Sequence, residues 1–152
     1  MCQYDDITLQ VIPDKKEKTE PLQKLGNFKT KPYQYQLDGI NYGISHEDWL
    51  LLDVPGLGKT LQAIYIAQER KRIDKIKHCL IVCGVNTLKT NWVREIEKHS
   101  NLSCRILGQK ENSKGQLVIG SVKERIEQLK KPIKEFFVIT NIESLRNDEL
   151  IK

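Results

Sequence analysis

The sequence has no apolar run long enough to cross a bilayer. Its longest uninterrupted stretches, such as Trp49–Leu52 and Cys79–Cys83, fall far short of the ~20 residues a spanning helix needs. The opening residues, Met1-Cys2-Gln3-Tyr4-Asp5-Asp6, lack a basic segment followed by an apolar one, so no secretory signal is read and the cytoplasm is the expected setting. Cysteine is scarce and badly spaced for crosslinks or zinc. Cys79 and Cys83 flank Leu80-Ile81-Val82, a strand pattern, and four residues of strand span ~13 Å, too far for a disulfide or one shared zinc ion. Cys2 and Cys104 stand alone, so all four read as small apolar residues in a reducing compartment. No charge run dominates either. The formal charge of +5 is spread over 25 basic and 20 acidic residues, which permits a polyanionic partner without identifying one.

What remains is an ordinary globular composition, 39% hydrophobic and 30% charged over 152 residues, enough for one domain with an apolar core. Residues 1–27 read as a separate N-terminal part. Ile7, Leu9 and Val11 alternate as in a short strand, and the charged stretch Pro13–Pro21 is bracketed by prolines like a linker. The compact part, 28–152, starts near Phe28. Tyr33, Leu37, Ile40 and Ile44 have helical spacing. Trp49–Val54 predicts a buried strand, and Leu61, Ile64 and Ala67 mark one face of the helix after it. Cys79–Cys83 is the next predicted strand, and Leu88, Trp92 and Ile96 predict the inner face of another helix. Ser103–Leu107 and Gln116–Ile119 are weaker strand patterns around a polar loop, Gly108–Gly115. Ser121 and Glu124 form a capping box ahead of a helix with Val122, Ile126 and Leu129 inward. Phe136–Thr140 is a strong strand pattern, and Ile142–Ile151 is helix-like. Strands alternating with helices predict an α/β fold with a parallel sheet covered on both faces, whose ligands bind beyond the carboxyl ends of the strands.

At such a place the sequence reads Asp53-Val54-Pro55-Gly56-Leu57-Gly58-Lys59-Thr60, between an apolar run and a helix. A turn from strand to helix aims backbone N–H groups and the positive helix end at one spot, which suits a phosphate. Gly56 and Gly58 let the backbone approach and accept positive φ. Lys59 supplies a charge for the β- and γ-phosphates, and the Thr60 hydroxyl can hold Mg²⁺ arriving with the nucleotide. Gly56, Leu57, Gly58, Lys59 and Thr60 are therefore the predicted phosphate-binding residues, with Lys59 as the catalytic one. Asp53 stands where the general pattern has its first glycine. A carboxylate aimed at phosphates would repel them, so Asp53 is expected to turn away and brace the loop. Pro55 removes one N–H donor.

Taken together, these residues resemble the Swi/Snf-type ATPases, helicase-like double-stranded DNA translocases of superfamily two. Lys31–Tyr42 is similar to that family's opening segment, in which a glutamine before Leu-acid-Gly recognises adenine; the role falls on Gln36. Asp53–Thr60 resembles the family's Asp-Glu-Met-Gly-Leu-Gly-Lys-Thr, with Val54 and Pro55 departing from it. Leu80–Glu95 resembles its Cys-Pro…Asn-Trp-x-x-Glu segment, with Gly84 in place of proline. Val138–Arg146 resembles the next, with Ile142 in place of tyrosine. The likeness runs from about Lys31 to Asp148. It implies a P-loop, RecA-like lobe that binds ATP and Mg²⁺, and a double-stranded DNA partner whose backbone meets Asn86, Asn91 and Thr140.

Hydrolysis in that family also needs an Asp-Glu-Ala-His segment after a further apolar strand, and arginines from a second lobe. Neither is in the sequence. Thr140 and Asn141 stand where acids would be needed, and Asp148-Glu149 follows Ser-Leu-Arg-Asn rather than an apolar strand. The lobe is accordingly expected to be incomplete at its C-terminus and inactive alone. Two other readings stay open: a non-catalytic nucleotide- or DNA-binding module, and an unrelated P-loop kinase or GTPase. The second would make the Gln36 and Asn91-Trp92 segments coincidences.

Overall fold

A computed structural model describes residues 25–111, 113 and 117–146; the strand expected within 5–12, the Pro13–Pro21 linker and the Asp148-Glu149 pair lie outside them. In chain order the elements are α1 (Gln34–Ser45), α2 (Lys59–Ile73), β1 (Cys79–Cys83), α3 (Asn86–His99), β2 (Cys104–Ile106), β3 (Gln109–Glu111), β4 (Leu117–Ile119), α4 (Val122–Leu129), β5 (Phe137–Asn141) and α5 (Ile142–Leu145). The five-residue run Phe-Val-Ile-Thr-Asn is buried throughout and forms the middle of a parallel sheet ordered β1-β5-β2. Cys79 aligns with Phe137 and Cys83 with Asn141, while Cys104 aligns with Phe137 on the other side. A strand buried on both faces reads as a continuous apolar run, which is why this one is plain in the sequence. Ile64, Tyr65, Ile96, Phe137 and Ile139, each at most 1% exposed, centre the core between the sheet, α2 and α3. The α/β expectation holds.

Several local expectations need correction. Trp49–Val54 is not a strand. Among the described residues nothing pairs with it, and an apolar run becomes a strand only where a neighbour completes its hydrogen-bond ladder. The run keeps period-two burial, with Trp49, Leu51 and Asp53 inward and Leu50, Leu52 and Val54 at 63–80% exposure. β1 is buried on one face only, since Leu80 and Val82 stand out from the sheet at its edge. On α3 the predicted Ile96 is buried and Trp92 packs on the core, but Leu88 is exposed and Lys89 is buried. The polar loop after Gly108 contains β3, which pairs antiparallel with β4, Lys110 opposite Val118. Leu129 is partly exposed rather than inward. The capping box at α4 does form, with the Ser121 N–H donating to Glu124 Oε2 at 2.7 Å and the Glu124 N–H donating to Ser121 Oγ.

The segment before α1 is tied across α2 and α3. Phe28 stacks on Tyr65 at 4.1 Å between centroids. The Tyr65 hydroxyl donates to the Thr30 carbonyl at 2.7 Å and accepts from the Thr30 N–H at 2.9 Å. His99, buried beside them, has Nδ1 2.9 Å from Thr30 Oγ1 and Nε2 3.2 Å from Glu95 Oε2. Burial pushes the His99 pKa below its ordinary value, and Lys98 and Lys29 add to this against the opposing pull of Glu95. Above pH 6.5 the ring is neutral folded and unfolded; as pH falls below 6.5 the unfolded chain takes up the proton first, so stability is lost until the folded pKa is passed. The chain is expected to melt lower at pH 5.5 than at pH 7.5, and His99→Gln should remove the part of that difference due to this ring. An unchanged pH dependence in the variant would refute the assignment.

Candidate nucleotide-binding site

α2 begins at a glycine, and that choice makes the site. Gly58 is its N-cap, with φ 76°, and has no side chain to cap the first-turn N–H groups. Those donors and the positive end of the helix are left for an anion. Gly56 also has positive φ, 90°, and a Cβ there would meet nothing, so glycine is needed for its backbone angle rather than for room. The loop closes as a turn in which the Leu57 N–H donates to the Val54 carbonyl at 3.5 Å.

Lys59 folds back over this turn, its Nζ donating to the carbonyls of Asp53 at 2.5 Å and Val54 at 3.1 Å. An ammonium held, among the described residues, by its own loop's carbonyls is ready to exchange them for phosphate oxygens. Thr60, the next residue, lines a cavity of about 380 Å³ with Leu88, Asn91, Trp92, Arg94 and Glu95 of α3. Gln36, buried on α1, spends both ends of its amide: Oε1 accepts from the Tyr33 N–H at 2.9 Å and Nε2 donates to the Leu57 carbonyl at 3.1 Å. A Cβ on Gly58 would stand 2.4 Å from Gln36 Nε2. The predicted residues Gln36, Gly56, Leu57, Gly58, Lys59 and Thr60 are thus one contiguous group.

The three residues expected at DNA are placed differently. Asn86 opens α3, and Asn91 is exposed beside the cavity lined by Thr60. Thr140 is 1% exposed, its Oγ1 without a hydrogen-bond partner. Trp92 packs partly buried against the core, as expected for a structural tryptophan. Two of the basic residues near α4 are paired with acids, Lys110 with Glu124 and Lys130 with Glu127, while Arg125 donates to the neutral Ser144 Oγ at 2.9 Å. Hydrogen bonds from Lys110 and Ser121 hold the Glu124 carboxyl at about 2.

Asp53 does turn from the loop, its Oδ2 accepting from Gln62 Nε2 at 2.9 Å. Gln62 went unread in the sequence, although a glutamine between Leu61 and Ala63, on the buried side of an apolar helix, is itself a signal of a polar task inside. Lys89 was missed as well. Burial and the nearby Arg125 guanidinium push its pKa down, against Cys83 and Glu143.

Comparison with known proteins follows the same segments. A family described as the SNF2-related domain matches residues 35–151. Chromodomain-helicase-DNA-binding protein 8 of Xenopus tropicalis is 32% identical over 108 residues, 59% of this chain and 5% of that protein. The ISWI chromatin-remodeling complex ATPase of Saccharomyces cerevisiae is 29% identical over 143 residues, 81% of this chain and 12% of its own length. The chain therefore spans a small share of the relatives it matches. The structure of the Sulfolobus solfataricus SWI2/SNF2 ATPase core in complex with double-stranded DNA superposes with a TM-score of 0.63 at 21% identity, covering 85% of this chain and 25% of that one, a likeness of fold. With that pattern matched over residues 35–151, the chain belongs to the SNF2-related domain family.

Proposed function

We propose that this chain is the nucleotide-binding part of the first lobe of an ATP-driven, double-stranded DNA translocase. The observation that carries the reading is the uncapped N-terminus of α2, where Gly58 leaves first-turn donors open beside the Lys59 ammonium and the Thr60 hydroxyl. A triphosphate fits that donor set: backbone amides and a cation for its oxygens, and a hydroxyl to complete an octahedral Mg²⁺ shell. In this reading Lys59 and the amides of Gly56–Thr60 hold the β- and γ-phosphates and Thr60 holds Mg²⁺. Gln36 gives up its bond to Leu57 to pair with the adenine edge. In this reading residues 1–27 are an N-terminal strand and charged linker, and 28–152 a partial ATP-binding lobe.

The catalytic acids and the arginines of a second lobe are assigned to sequence other than these residues. Among the described residues β1 is an edge strand and Leu50, Leu52, Val54, Leu80 and Val82 are exposed, which supports that assignment, because these are surfaces further strands would cover. Duplex contact is assigned to Asn86 and Asn91 on α3; Thr140, 1% exposed, is left out of it. Retention on duplex DNA at low salt, released as salt rises, is the expected behaviour; none at low salt would remove that face. A specific observation favours a second reading, a non-catalytic binding module: β5 ends in Thr140 and Asn141 rather than in acids. The central test is calorimetric titration of the chain with MgATP and with MgGTP. Saturable binding with ATP preferred is expected, and a strong preference for GTP would end the adenine role of Gln36.

A further inference from the structure

The loop departs from the general phosphate-loop pattern at its first position, and the structure holds an unusual contact at that residue. Asp53 accepts from Gln62, a residue of α2 that is 0% exposed. Long helical side chains lean back over the turn N-terminal to their own Cα, so a residue at position 62 is well placed to reach the loop that feeds the helix. Among the described residues the Gln62 amide makes no other bond: its Oε1 is buried without a partner. Turning the amide over would set that oxygen against the carboxylate, so the orientation is fixed by Asp53. A buried side chain that leaves one acceptor unsatisfied is a poor choice for packing alone, since an apolar residue of similar size would fill the space without that cost.

The third member lies on α1. A Cβ at Gly39 would stand 2.1 Å from Gln62 Oε1, closer than any real contact, so a side chain there would drive the amide off Asp53. Glycine is a poor helix former, and within α1 its place is explained by this close approach.

We propose that Asp53, Gln62 and Gly39 are positioning residues for the phosphate loop: Gln62, seated on Gly39, draws the Asp53 carboxylate away from the phosphates and anchors the loop's first residue to α2. The inference rests on the nucleotide reading above and adds how a loop without its first glycine is held in shape. Asp53 is then doubly used. Its side chain fixes it to α2, while its carbonyl holds the Lys59 ammonium until a phosphate takes over. What the brace requires of position 53 is an acceptor, and the negative charge is incidental.

The test exchanges donor and acceptor. Gln62→Glu alone sets two carboxylates against each other; it should weaken MgATP binding about tenfold, the size of one lost bond to a charged group, and lower the melting midpoint. Adding Asp53→Asn makes position 53 the donor and position 62 the acceptor. The double variant should bind MgATP within about threefold of the unaltered chain and regain its midpoint, as should Asp53→Asn alone. Gly39→Ala should behave like Gln62→Glu. A double variant no better than Gln62→Glu in either readout would overturn the brace. If the unaltered chain fails to bind MgATP, the nucleotide reading falls, and the midpoints of the single and double variants still decide whether the brace exists.

Discussion

Lys59→Ala is expected to weaken MgATP binding about 30- to 150-fold while leaving the fold intact. The magnitude is that of a charged hydrogen-bonding group lost from a site with few other charges, about 2–3 kcal/mol. The fold is spared because the bonds of Lys59 among the described residues go to the carbonyls of Asp53 and Val54, within its own loop. Removing it frees two carbonyls near solvent, since Val54 is 63% exposed. A shift in melting midpoint of no more than about 3 °C is expected, as for other surface substitutions in a domain of this size. Lys59→Arg keeps the charge but not the compact ammonium, so it should lose part of the affinity. Equal binding of MgATP by the chain and by Lys59→Ala, measured calorimetrically, would mean that the triphosphate does not sit at the start of α2.

The sequence showed this site more clearly than it showed the fold around it. Gly58, Lys59 and Thr60 act through backbone angle, charge and a hydroxyl, which are properties of residue types and their spacing. Gln36 was legible only by its distance from the loop, and its link to Leu57 is a tertiary contact that no local pattern encodes. Strand β5 could be read because both its faces are buried. The run at 49–54 misled for the opposite reason. Its apolar residues answer to a neighbour, and among the described residues no strand pairs with it. The same holds for β1, whose edge position leaves Leu80 and Val82 exposed. On α3 the periodicity finds Trp92 and Ile96 but not Leu88, which is exposed, and it passes over the buried Lys89, a residue type that hydropathy places outside. The pairing of Asp53 with Gln62 was half visible: repulsion from phosphate required the carboxylate to leave, while its destination depended on how α1 and α2 pack.

The other large effect concerns turnover. The chain is expected to bind ATP and leave it essentially unhydrolysed. Phosphoryl transfer to water needs a carboxylate on Mg²⁺, a group that positions the attacking water, and an arginine opposite the γ-phosphate; the arginine alone is worth about 10³–10⁵ in rate. The carboxylates near the loop are otherwise engaged. Asp53 is bound to Gln62, and β5 ends in Thr140 and Asn141, an alcohol and an amide. Glu95 lines the cavity that Thr60 shares, but its Oε2 lies 3.2 Å from His99 Nε2. Arg94 borders the same cavity from α3, and nothing described holds it over the phosphate end of the loop. With neither a Mg²⁺ carboxylate nor an opposing arginine placed at the loop among the described residues, turnover should stay below about 10⁻² per second, against the 1–100 per second usual for phosphoryl-transfer enzymes such as kinases. The measurement is phosphate release by the purified chain under saturating MgATP, with Lys59→Ala and Glu95→Gln beside it. Release at the background shared by both variants is the expected result. Fast release lost in Lys59→Ala would show that the chain carries its own catalytic acids, and loss in Glu95→Gln as well would identify Glu95 as one of them.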